Sequence, residues 1–154
     1  MGARSSGREA ALQMLYSLEE VDDPERVEDV IRDFWRELAE EPEGREYANE
    51  LVRKVSAGQS DIDDRIRKAS RHWRLERMAR VDRNVLRLAA FELVRGEAPE
   101  SVVIDQAIEL ARRFGDDPSP AFVNGVLDAV ARDLRGDCVP EHAADAQAGR
   151  GQET

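Results

Sequence analysis

Residues Pro99 to Leu134 read PESVVIDQAIELARRFGDDPSPAFVNGVLDAVARDL, and this stretch decides the fold class. Ser101 is placed as an N-cap, and Val102, Val103, Ala107, Ile108 and Leu110 follow at helical spacing. Gly115 stops that helix just past Phe114, and Asp116, Asp117 and Pro118 make a turn. Ser119 then reads as the N-cap of a second helix with Pro120 at its first position. Phe122, Val123, Val126, Leu127 and Val130 give that helix a broad apolar face. Asn124-Gly125 sits inside it. Asn-Gly marks hairpins where the period is two, but here the flanking period is helical. A glycine costs ~1 kcal/mol against alanine in a helix interior. Gly125 therefore reads either as tight helix packing or as a place where a ligand backbone comes close.

The rest of the chain repeats the helical pattern. A first helix starts near Ser5 or Ser6 and runs to about Glu19, with Ala11, Met14, Leu15 and Leu18 inward. Asp23-Pro24 caps a second helix through about Glu40, which buries Val27, Val30, Ile31, Phe34 and Leu38. Pro42 opens a third, with Tyr47, Leu51, Val52 and Val55 inward, and Gly58 stops it. Ser60 with Asp63 starts a fourth, carrying Ile62, Ile66 and Ala69. The connector RKASRHWRLERMAR leads into a helix whose apolar face, through Val81, Val85, Leu88 and Ala89, is wide enough for a buried axis. Gly96 and Pro99 end it. These elements predict an all-α bundle of about seven helices over residues 1–135. Residues 136–154 have no periodicity and read as a disordered polar tail.

The chain has 154 residues, enough for one domain with a real core. Its only cysteine, Cys138, excludes an internal disulfide and fits a reducing cytoplasm. No apolar run is long enough for a membrane span, and MGARSSGRE has no hydrophobic signal core. The net charge of −10 opposes whole-surface attraction to nucleic acid. The charge is unevenly spread, however. Glu19 to Glu50 carries 14 acidic and 4 basic residues, whereas Arg65 to Arg87 carries 9 basic and 2 acidic ones.

Catalysis finds no support in the sequence. There is no Gly-rich phosphate loop, no paired cysteines and no His-Glu-x-x-His. Of the two histidines, His142 lies in the tail, and His72, beside Trp73, reads as buried or stacked rather than catalytic. No cofactor or metal site is expected. What remains is binding. Single-stranded RNA binders combine cations for phosphates with planar groups for bases. Arg4 and Arg8 supply cations on a helix start, where they oppose the helix dipole unless a polyanion sits nearby. Ser119, Pro120 and Phe122 supply a helix N-terminus and an aromatic ring. Phe122 has two readings, a core ring or a stacking platform.

Three collinear motifs also carry a family resemblance. AIELARRFGDDPSPAFVNGVLD, RSSGREAALQMLY (Arg4 to Tyr16) and RVDRNVLRLAAFEL (Arg80 to Leu93) resemble the signatures of the NusB family of bacterial transcription antitermination factors. The resemblance implies a non-enzymatic factor that pairs with NusE, the small ribosomal subunit protein. The pair would bind boxA-type RNA of rRNA leaders and join the RNA polymerase antitermination complex. It also implies that the arm bearing Arg4 and Arg8 and the helix opening at Ser119 and Phe122 share one RNA surface. Tyr16, Asp82 and Arg87 match the NusE-contacting positions. Packing for Tyr16 and helix capping for Asp82 are the alternative roles. Two departures stand out: Ser5, Ser6 and Gly7 thin the basic arm, and Pro120 and Ala121 stand where basic residues are common. Two alternatives therefore accompany the reading. One is a protein-interaction scaffold acting mainly through NusE. The other is a domain related to the N-terminal part of rRNA cytosine methyltransferases.

Overall fold

The computed structural model describes residues 2–38 and 43–136. The expected helix start at Pro42 and the expected tail beyond 136 lie outside them. Seven α-helices are present among the described residues: α1 Ala3–Val21, α2 Val27–Glu37, α3 Arg45–Ala57, α4 Gln59–Ala69, α5 Arg80–Arg95, α6 Glu100–Phe114 and α7 Ser119–Leu134. Two 3-10 turns, Pro24–Arg26 and Leu75–Arg77, precede α2 and α5, and no strand occurs among these residues. The chain divides between Gln59 and Ser60 into two units.

In the first unit α1 packs most extensively on α3, with α2 against both. Ala11, Met14, Leu15 and Leu18 are buried as their spacing requires, and Leu51, Val52 and Val55 face them from α3. Two glycines make this approach close. A Cβ on Gly7 would lie 3.0 Å from the Gly44 carbonyl oxygen and from the Tyr47 ring. Gly44 itself sits at φ 87°, and a Cβ there would overlap the Ala3 carbonyl oxygen. Gly7 thus serves packing. Helix α1 begins at Ala3, earlier than the serines suggest, so Arg4 and Arg8 both lie on the helix. In α2 the buried residues are Val30, Ile31 and Trp35; Phe34 and Val27 are half-buried and Leu38 is exposed. The helix stops at Glu37, so Leu38 falls beyond it in extended backbone and leaves the apolar stripe. Trp35 is drawn in instead, its Nε1 donating to Asn49 Oδ1 at 2.7 Å.

In the second unit α5 is the buried axis. Every residue from Asn84 to Ala90 is buried, and α6 and α7 both pack on it and on each other. Gly96, at φ 71°, caps α5 through its N–H to Glu92 O. Two expected caps are displaced. Pro99, not Ser101, precedes α6, so the helix is two residues longer at its start; Val102 is exposed while Val103, Ala107 and Leu110 stay inside. Pro118 precedes α7, so Ser119 is its first residue and its hydroxyl is used elsewhere. Gly125 is buried within α7, as tight packing requires.

Helix α4 starts at Gln59, one residue after the Gly58 break, so Asp63 lies in its second turn and caps nothing. Its carboxylate faces inward and meets Arg87 of α5 through two bonds, Nε to Oδ1 at 2.8 Å and Nη2 to Oδ2 at 3.1 Å. Both side chains are almost wholly buried. Asn84 Oδ1 accepts a longer bond from Arg87 Nη1 at 3.4 Å, and Asn84 Nδ2 donates to Arg80 O at 2.9 Å. A bidentate pair fixes the rotation of α4 about its axis as well as its distance. Removing one partner strands a buried charge, which costs about 3–5 kcal/mol, whereas replacing both with apolar groups is far cheaper. Asp63→Ala should therefore lower unfolding stability in urea by that amount, and Asp63→Leu with Arg87→Met should recover most of it. Equal losses in the single and double variants would contradict this reading.

Candidate nucleic-acid and partner interface

The residues singled out in the sequence fall into two clusters, one in each unit. In the first, Tyr47 is the centre. The Arg4 guanidinium carbon lies 5.1 Å from the Tyr47 ring centroid and that of Arg8 lies 5.8 Å from it. Both are cation–π distances. The two arginines are not equivalent. Arg4 is exposed on the first turn of α1, while Arg8 is only 4% exposed. Arg4 is thus the cation this arm offers outward, and Arg8 holds the ring beneath it. Tyr16, two turns further along α1, is 38% exposed.

The second cluster is built around the Ser119 hydroxyl. Ser119 is buried; its Oγ accepts from the Asp116 backbone N–H at 3.0 Å and donates to the Asp82 carboxylate. This closes the turn before α7 and ties it to the first turn of α5. The turn is tight enough to need Gly115, where a Cβ would lie 2.6 Å from Ser119 Oγ and 2.8 Å from Ala111 O. Asp82 is half-buried, and its Oδ1 is fully covered with no hydrogen-bond partner among the described residues. Burial raises its carboxyl above the ordinary aspartate range, the Asp116 charge adds to this, and the Ser119 bond opposes it. It does not cap α5, whose N-cap is Ala79, but an acid in the first turn still suits the helix dipole.

Phe122 is half-buried, one turn into α7. Its ring meets Trp73 edge-to-face, with centroids 5.8 Å apart and planes at 80°. Arg87 is 7% exposed and engaged with Asp63, so its guanidinium is mostly below the surface. His72 is exposed in the turn after α4, so it is not the buried histidine that was one of its two expected placements. No group of three His, Cys, Asp or Glu able to hold a metal occurs among the described residues, and no helix there is long and apolar enough to cross a membrane. Sequence reasoning passed over Trp73 and Tyr47 as site residues. A tryptophan inside the basic connector RHWRLER was the available signal for the first; Tyr47 fits the apolar stripe of α3 and gave none.

The fold and these two clusters define an all-helical protein with aromatic and basic groups near helix starts. Comparison with known proteins makes this specific. Residues 5–132 match the model of the NusB family. The transcription antitermination protein NusB of Sorangium cellulosum is 56% identical over 135 residues, covering 87% of this chain and 95% of that protein. Its counterpart in Myxococcus xanthus is 45% identical over 136 residues, covering 85% and 96%. Among solved structures, T. maritima NusB superposes with a TM-score of 0.73 at 34% identity, covering 92% of this chain and 96% of that one. A chain from the crystal structure of antitermination factors NusB and NusE in complex with double-stranded RNA gives 0.71 at 27% identity, covering 86% and 98%. The chain belongs to the NusB family.

The raised Asp82 carboxyl has a stability consequence with a definite sign. A carboxyl raised in the folded state binds its proton more tightly there, so the buried charge costs stability at neutral pH. That cost fades as pH falls through the folded-state value toward the ordinary one. Asp82→Asn should therefore melt at a higher temperature than the parent at neutral pH, and the difference should shrink on acidification. Thermal melts from neutral to about pH 4 check this. A less stable Asp82→Asn at neutral pH would show that the charge is compensated.

Proposed function

We propose that this chain is a non-enzymatic transcription antitermination factor of the cytoplasm. It binds boxA-type single-stranded RNA together with NusE, as part of an RNA polymerase antitermination complex. The observation that carries this reading is the Ser119 hydroxyl, which ties Asp82 to the start of the helix bearing Phe122. One rigid node thereby holds a partner-facing carboxylate and a base-stacking ring in fixed relation. A similar chain from a complex of NusB and NusE with double-stranded RNA supports NusE and RNA as the partner classes. Antitermination relatives covered over almost their whole length favour this function over the methyltransferase-related alternative.

The residues take distinct roles. Arg4 neutralises a phosphate, and Arg8 supports it through the shared Tyr47 ring. Phe122 stacks on a base, and Ser119 sets its position through the turn. Tyr16 and Asp82 touch NusE. Asp82 is half-buried and its charge is disfavoured by burial, so a cationic group of NusE beside the carboxylate would offset that cost. Arg87 acts through Asp63, holding α4 against α5, with only its edge available to NusE.

With one exposed arm arginine and a net charge of −10, RNA binding depends on NusE. Each phosphate neutralised on a single strand contributes about −0.7 to the log–log salt slope, so the chain alone should show a shallow slope, about −0.7 for the Arg4 contact. The NusE complex should bind at least about ten times more tightly with a steeper slope. Fluorescence anisotropy with a boxA-containing single strand across a salt series measures both. A steep slope without NusE, equal to that of the complex, would refute partner dependence. A second variant tests the partner face: Asp82→Lys should weaken NusE binding about tenfold, largely through the on-rate. An unchanged on-rate and affinity in the folded variant would move the NusE contact elsewhere.

A further inference from the structure

Trp73 is the most exposed of the large apolar side chains among the described residues, at 47%. Leaving an indole in water forfeits the burial that normally holds it in a core, so its position calls for a reason. Mobility is not the reason, because the turn is fastened on both sides. The Trp73 N–H donates to Ser70 O at 2.9 Å, and Ser70 Oγ donates to Ile66 O at 2.7 Å. Just after it, Leu75 is buried, and Arg83 Nη1 donates to both Leu75 O at 3.1 Å and Met78 O at 2.9 Å. Arg67 reaches across to Glu76 at 2.9 Å. The ring is thus displayed by a rigid scaffold, and the order is already in place before any ligand arrives.

Its surroundings are basic. Arg71, Arg74 and Arg77 are exposed on the same turn, and Arg71 and Arg77 have no ion-pair partner among the described residues. An exposed aromatic among unpaired guanidinium groups matches a single-stranded nucleic acid, whose bases stack on the ring while its phosphates meet the cations. The edge-to-face contact with Phe122 adds a geometric constraint. Rings at 80° cannot both lie parallel to one base. Each must take its own.

We propose that Trp73 is a second base-stacking platform for the RNA. It accepts a base splayed at roughly a right angle to the one on Phe122, with Arg71 and Arg77 on the intervening backbone. This rests on the RNA-binding reading above and adds to it a residue and a strand geometry. The strand must be unstacked and bent where it crosses the Trp73–Phe122 pair, which selects single strands over continuous duplex.

The test uses the complex of the full chain with NusE and a boxA-containing single-stranded RNA. Trp73→Ala should weaken RNA binding by the complex about tenfold, in line with the loss of one stacked base. Trp73→Phe should restore most of the affinity. NusE affinity without RNA and the melting temperature should stay near the parent's, because the ring is exposed. On a Trp35→Phe background, RNA titration should quench the remaining tryptophan emission from Trp73. Normal RNA binding by Trp73→Ala, with the parent complex binding RNA, overturns this inference and leaves the functional reading standing. So does a loss of NusE affinity with RNA binding by the formed complex unchanged, which would make the ring a protein contact. Failure of the parent complex to bind the RNA overturns both.

Discussion

The buried Ser119 hydroxyl is the joint on which the candidate RNA and partner surfaces of the second unit depend. It accepts from the Asp116 N–H and donates to Asp82, so a single oxygen closes the turn into α7 and pins that turn to α5. A buried hydroxyl is stable only when its bonds are made, and here both are. Gly115 is required because any Cβ there would press into the same hydroxyl. The position of Phe122 follows from the turn, and the Trp73 contact follows from Phe122. The cost is borne by Asp82, which keeps one oxygen covered and unpartnered at the edge of the node.

A second constraint acts beneath this one. The Asp63–Arg87 pair locks α4 to α5, and the turn that carries Trp73 leaves the end of α4 and returns into α5. A helix free to rotate would carry that turn with it. The buried pair contributes specificity of orientation more than net stability, since its desolvation offsets much of its attraction. The basic face and the aromatic pair therefore rest on charge chemistry that is itself out of sight.

Much of this was legible in the sequence. The wide apolar face of α5 marked it as the axis, and Ala11, Met14, Leu15 and Leu18 marked the inner side of α1, because burial at helical spacing leaves a periodic trace. Gly96 and Gly115 marked helix ends correctly. The caps were harder to read. Ser101 and Ser119 are good N-cap residues, but Pro99 and Pro118 set the starts one or two residues earlier, and Ser119 then served a tertiary bond. Asp63 looked like a capping-box acid and is a buried ion-pair partner, since nothing local to its sequence signals Arg87, far along the chain. Trp73 was hidden for a related reason. A residue in a non-periodic connector has no inside or outside until the helices around it are placed.

The account holds that one chain carries sites for RNA and for NusE whose occupancies reinforce each other. Linkage then requires reciprocity: whatever factor NusE adds to RNA affinity, RNA must add to NusE affinity. The most direct measurement is the NusE dissociation constant by calorimetry, with the chain free and with the chain saturated by boxA-containing single-stranded RNA. The account predicts that RNA tightens NusE binding about tenfold or more, matching the gain seen in the opposite order. NusE affinity unchanged by saturating RNA would contradict it.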